Sequence, residues 1–295
     1  MIDLWAELPS PVKTRFRNEF RQYSGMNYTE EKEILTSYIP APPAGSMPKE
    51  DYLSFMEEKN LPLNYLTLAY GECSEKTFKE RFLDSGIYDH PQIAGYFGEV
   101  IVIDTVRLGD RRLPECYEDL ADPVYKDEIC MIGGAKIPDP IIGLYIYRKC
   151  GEEALIRFIR NIRTFSSPSK TIRHIWKKSN HFGSIFIMPD MFAECAAQSN
   201  HAEIVLPKEG YAAEPFLLFQ HTGKGMNTDE LSHLHFVNRK IQDFIHSGIY
   251  ADILEERKFL PPDTPAKISN ICRQKPLCDD VEMIWDYHRR YGKSF

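Results

Sequence analysis

The sequence predicts an α/β protein with largely parallel sheets. Short apolar runs of strand character alternate with amphipathic helical segments along most of the chain, and Pro, Gly and Ser clusters separate them. The composition agrees: 295 residues, 43% hydrophobic and 27% charged, are ordinary globular values with material for one large domain or two moderate ones.

The first helix runs from Pro11 to Tyr23, with Val12, Phe16 and Phe20 spaced by four, Ser10 as its cap and Pro11 at the first helical position. Residues Ile39 to Pro48 hold too many prolines for a helix or a ladder, and a helix follows from Lys49 to Lys59. Asn64 to Tyr70 alternates as a strand does, and Ser74 to Leu83 is helical. Val100 to Val106 and Glu128 to Ile132 are strands; Pro138 to Cys150 and Glu152 to Ile162 are helices. The alternation continues with a helix at Lys170 to Lys178, a strand at Ser184 to Met188, a helix at Met191 to Gln198, and strands at Ile204 to Leu206 and Pro215 to Phe219. A long helix covers Asp229 to Ser247, and a last one, Val281 to Arg290, carries Ile284, Trp285 and Tyr287 against the body of the protein.

A formal charge of −7, with basic residues scattered rather than clustered, argues against a nucleic-acid partner. The longest apolar stretches, such as Ile141 to Tyr147, fall far short of the roughly 20 residues that cross a bilayer, so no membrane span is expected. Residues Met1 to Glu7 have neither a basic start nor an apolar core; no secretory signal is visible, which points to the cytoplasm if Met1 is the natural start. Seven cysteines are an odd number without a recurring pairing pattern, and most read as buried or reduced thiols. Cys272 and Cys278 are spaced for a small disulfide loop or half a metal site, with no second cysteine pair nearby.

No Gly-x-Ser-x-Gly, His-Glu-x-x-His, phosphate-loop or Gly-x-Gly-x-x-Gly pattern occurs. Cys73 stands before a helix, where a thiolate is favoured, but no His is assigned to it as a base. No catalytic residue and no cofactor are therefore assigned.

Leu113-Pro114-Glu115-Cys116-Tyr117-Glu118-Asp119-Leu120-Ala121-Asp122-Pro123, leading into a strand, resembles a segment of the bacterial extracellular solute-binding proteins grouped with ferric-iron ABC importers. Phe236 to Gly248, then a helix and Phe259-Leu260-Pro261-Pro262, is similar to the late helices of that family, and Val205 to Gly210 to the turn before the chain returns to its first lobe. The resemblance covers about residues 100 to 262 and implies a two-lobed, type 2 periplasmic-binding-protein-like fold with two crossover strands. Lobe one would be 1–104 plus 216–295, and lobe two 105–215, with the ligand held in the cleft by hinge closure.

Candidate ligand contacts follow from the loops such a cleft uses. Ser10 and Ser46 precede helices, where free N–H groups hold anions, although each also serves as a plain cap. Glu72 occupies a loop after a strand and suits a cationic ligand, or is simply an exposed loop acid. Gly133 and Gly134 follow a strand and let backbone approach a ligand or simply turn. His181 lies at the loop end of a strand, and Asp190 closes one strand and opens a helix, either reaching for a ligand or capping. The adjacent tyrosine pair with which the family's ferric-iron binders hold their ion is missing: Tyr145 and Tyr147 share a helix and diverge. His233 and His235 diverge in the same way, and no metal ligands are assigned.

The expected function is capture of a small ligand, such as iron, a metal chelate or a small anion, for an ABC permease, by a monomer that family usage places outside the cytoplasm. The alternatives are a cytosolic ligand sensor on the same fold and, third, an enzyme built on it.

Overall fold

Helix α1, Ser10–Ser24, turns the four-residue spacing of Val12, Phe16 and Phe20 into one buried stripe: the three residues are no more than 1% exposed. In this computed structural model the described residues are 5–6, 10–25, 39–40, 88–133, 138–177, 182–221, 227–256, 258–260, 262 and 278–293. The helix expected at Lys49 to Lys59, the strand at Asn64 to Tyr70 and the helix at Ser74 to Leu83 lie outside them.

The chain divides into two units, the first holding 1–52, 70–96 and 215–264, and the second 53–69, 97–214 and 265–295. In the first, β1 (Trp5–Ala6) pairs in parallel with β2 (Ile39–Pro40), and antiparallel with residues 218–219 of a later strand. The stripe of α1 packs against helices α7 (Thr228–Ile245) and α8 (Gly248–Glu256). Phe16, Phe20, Phe244 and Tyr250 form the aromatic centre of this unit, with edge-on contacts at 5.2–5.7 Å between ring centroids. Arg15 pairs with Glu256 at 2.5 Å on its surface.

The strand expected at Val100 to Val106 is longer than its apolar core: β3 covers Tyr88–Asp104 and runs from the first unit into the second. It stops because Asp104 accepts the N–H of Arg107 and caps a short helix, α2 (Thr105–Leu108), where the apolar run Val-Ile-Val-Ile gives way to Thr-Val-Arg-Leu.

In the second unit β4 (Ile129–Ile132) is central, parallel to both β5 (Ile162–Ser166) and β6 (Ile185–Pro189). Strand β3 is antiparallel to β6 and to β7 (Ala202–Val205), so the expected largely parallel sheet is mixed on this side. The helices are α3 (Ile141–Cys150), α4 (Glu152–Asn161), α5 (Pro168–Trp176) and α6 (Asp190–Ala196). Val100, Val102, Cys130, Ile132, Phe186 and Met188 pack with Ile175, Ala193 and Ala196 into one buried cluster. Strand β8 (Ala212–His221) leads back to the first unit, and α9 (Cys278–Tyr291) packs on α3 and α4, where Trp285 donates to the Pro138 carbonyl at 2.9 Å.

Strand β5 is a strand the sequence pattern did not reveal. Ile-Arg-Thr-Phe-Ser follows a helix without an intervening turn residue, and its two ends alone are buried. At the amino end of β6, Glu128 accepts both the N–H and the hydroxyl of Ser184 at 2.9 Å and pairs with Arg111 at 2.9 Å, which pins the start of the strand.

Candidate ligand site

Because β4, β5 and β6 are parallel, their carboxyl ends emerge along one edge of the second unit, the edge at which open α/β sheets take ligands. β4 ends at Ile132 and Gly133 follows with φ 132°, a backbone conformation that favours glycine. Its N–H donates to the Ser166 carbonyl at 3.1 Å, and among the described residues no atom stands within 4 Å of where a Cβ would project. Ser166, the last residue of β5, is 6% exposed, and its hydroxyl meets no partner among the described residues.

β6 ends at Pro189, and Asp190 is the first residue of α6. Asp190 does not stand at the cap position of this helix, which Pro189 occupies. Its carboxylate instead accepts from the Tyr211 hydroxyl at 3.3 Å. Burial, reinforced by Asp190, pushes the Tyr211 phenol up to about 12. The Tyr211 ring lies against Gly98, where an added Cβ would stand 2.7 Å from it.

The antiparallel register sets Glu99 of β3 opposite Pro189, which brings its carboxyl to the same edge. Glu99 is 4% exposed, and burial raises its carboxyl well above the usual range, with neighbouring Asp139 adding to the effect. Asp139 sits just ahead of α3, where its Oδ1 accepts the Ile141 N–H at 2.8 Å. Desolvation raises Asp139 to about 6, opposed by that N–H.

Tyr117 holds this edge together from behind. Its hydroxyl donates to the Glu99 carbonyl at 2.6 Å and accepts the Ala212 N–H at 2.9 Å, so one buried phenol joins the outgoing and returning strands. The Tyr117 N–H is itself held by Glu209 at 2.7 Å.

Of the residues singled out from sequence, Gly133 and Asp190 come to this edge. Ser10 is the first residue of α1 in the first unit, one position inside the helix rather than ahead of it. Ser46, Glu72, Gly134 and His181 lie outside the described residues. Glu99, Asp139, Ser166 and Tyr211 were not singled out. The available signal for Glu99 was its place at the head of the fully buried run Val100 to Ile103, where a carboxylate is out of character. Among the described residues no cluster of three or more His, Cys, Asp or Glu side chains is arranged to hold a metal ion, and no helix is long and apolar enough to cross a membrane.

Structural comparison places this fold among periplasmic binding proteins. The chain superposes on the ferric binding protein from Campylobacter jejuni with a TM-score of 0.53 at 14% identity, over 97% of both chains. It superposes on iron-bound HitA from Pseudomonas aeruginosa with a TM-score of 0.55 at 10% identity, over 98% of both. For fructose-6-phosphate-bound AfuA from Actinobacillus pleuropneumoniae the TM-score is 0.50 at 15% identity, over 97% of this chain and 94% of that one. These likenesses bear out the α/β, two-lobed periplasmic-binding-protein-like class expected from sequence. No protein of curated function matches the chain. The family model described as bacterial extracellular solute-binding protein matches residues 66–278, well over half the chain, and the protein belongs to that family.

Proposed function

We propose that this protein is the substrate-binding component of an ABC-type importer, acting outside the cytoplasm, and that it holds a small ligand by closing two lobes on it. The observation that carries the reading is the match to the solute-binding family over residues 66–278. The groups along the carboxyl edge of β4, β5 and β6 support it: Gly133, the Ser166 hydroxyl that meets no partner among the described residues, and the Asp190–Tyr211 pair. In this reading Ser10, Ser46 and Glu72 contribute from one lobe, and Gly133, Gly134, His181 and Asp190 from the other. The protein hands its ligand on unchanged, as a monomer docking on a permease.

A thermal-shift screen against metal salts, ferric citrate, oxyanions, small carboxylates and organic amines tests the reading. A ligand at 100 times its Kd stabilises the native state by about 2.7 kcal/mol, so one class is expected to give a saturable rise in Tm. Asp190→Ala is expected to weaken that rise. No saturable shift with any member of the panel would overturn the proposal.

A further inference from the structure

We infer that the carboxyl pair Glu99–Asp139 is a recognition site for the protonated amine of an organic cation. The inference rests on the solute-binding reading above and names its ligand class. The register places Glu99 opposite the last residue of β6, and Asp139 directly precedes α3, the helix that follows β4, so the two acids meet at the carboxyl edge of parallel strands. Glu99 is 96% buried, and among the described residues no N–H or O–H donates to its carboxyl and no Lys, Arg or His stands against it. Asp139 has a single donor, the Ile141 N–H, and likewise no cation.

Buried carboxylates are ordinarily paired or hydrogen-bonded, because an isolated one loses its hydration without replacement. Two acids set beside each other without a counter-ion therefore form an incomplete arrangement. What completes it is a group that carries positive charge and several donors, since a carboxylate offers only acceptors. An ammonium or guanidinium group fits. A metal ion fits less well, because hard cations take six or more oxygen ligands and no cluster of three candidate ligands exists among the described residues. A ligand anion is opposed here: the Ile141 N–H at the start of α3 is already taken by Asp139, and both acids repel a second anion.

The pair's surroundings bear on its response to pH. The titratable groups that face this edge include Tyr117, whose hydroxyl is committed to the Glu99 carbonyl and the Ala212 N–H, Glu209, which accepts the Tyr117 N–H, and Asp190 with Tyr211, which bond to each other. None is a cation, so an incoming ammonium is the positive charge that ionises the pair. The acids raised by burial hold a proton in the empty site, and binding expels it to solvent.

The test is isothermal titration calorimetry of the whole protein with putrescine, spermidine, arginine and choline, beside phosphate and ferric citrate. The expected result is saturable binding of at least one N–H-bearing cation and none of choline, whose quaternary nitrogen has no donor. Glu99→Gln and Asp139→Asn each weaken that binding tenfold or more while the thermal unfolding transition is retained. Titrations in two buffers of different ionisation enthalpy are expected to show net proton release near pH 6, with affinity rising as pH rises. Binding confined to phosphate or ferric citrate and unchanged in both variants would overturn the amine inference and leave the solute-binding reading standing. Amine binding that survives both substitutions overturns the assignment to this pair, and so does the absence of binding by any N–H-bearing cation.

Discussion

At the scale of single residues, Tyr117 has the clearest consequence. Its hydroxyl serves two backbone groups on two strands, and neither has water to turn to when the phenol oxygen is removed. Tyr117→Phe keeps the ring on Tyr145 and deletes only the hydroxyl, so the expected loss is about 1–3 kcal/mol of stability, read as a lower urea midpoint with unchanged slope. The residue stood inside the segment Leu113 to Pro123 that carried the family resemblance, yet its role was not legible there. A tyrosine between Cys116 and Glu118 gives no sign of which carbonyl it will reach, because its partners at positions 99 and 212 are set by tertiary folding. Glu99 and Asp139 were hidden for the same reason, being separated by 40 positions and brought together by the pairing of β3 with β6 and of β6 with β4.

At the scale of elements, legibility followed local pattern. The helix of Val12, Phe16 and Phe20 emerged within a residue or two of its expected bounds because a period near four over three turns admits no other structure. β6 and α6 emerged because Pro189-Asp190 marks their junction in sequence. β5 did not emerge, since its five residues lack alternation and continue straight from α4. The approach of β6 to β4 also depends on a residue that carries no helix or strand signal. At Gly183 an added Cβ would stand 1.9 Å from the Glu128 carbonyl oxygen, and its three nearest atoms are all Glu128 backbone, which cannot swing away. The Gly183 N–H also meets the Cys130 sulfur at 3.3 Å, a thiol that burial pushes up to about 12. Gly183→Ala is therefore expected to destabilise the protein by about 3 kcal/mol or more, visible as a loss of several degrees in Tm or of soluble protein on expression.

At the scale of the whole molecule, two buried sites pull the pH dependence of stability in opposite directions. His288 of α9 lies against Phe165 with its Nε2 buried and without a partner among the described residues, and burial lowers it to about 4. The unfolded chain, with a histidine near 6.5, then binds more protons than the folded one between about pH 4 and 6.5, so this residue's contribution is lost as pH falls through that window. Its full extent is about 3 kcal/mol, at roughly 1.4 kcal/mol per unit. Asp139 is raised to about 6, so the folded state holds the extra proton and its contribution is lost as pH climbs from about 4 through 6; Glu99, raised in the same direction, acts with the same sign. Urea unfolding at pH 4.5 and 6.5 separates the two: measured against wild type, His288→Phe is expected to be relatively more stable at pH 4.5, and Glu99→Gln relatively more stable at pH 6.5.

The tyrosine that ties the two crossing strands also limits how those strands bend. In the first unit, Tyr96 exchanges both backbone hydrogen bonds with Leu260, and the Tyr250 hydroxyl holds the Ala94 carbonyl. In the second unit, Tyr117 holds the Glu99 carbonyl. Between these anchors the outgoing strand has Phe97 and Gly98, about four soft backbone torsions in all. Under the closure proposed above, a connector that short would act as a flexure and not as a tether, permitting rotation about few axes and resisting stretching. Lengthening it by one residue would add freedom without adding any contact to a ligand, trading the repeatability of the motion for range.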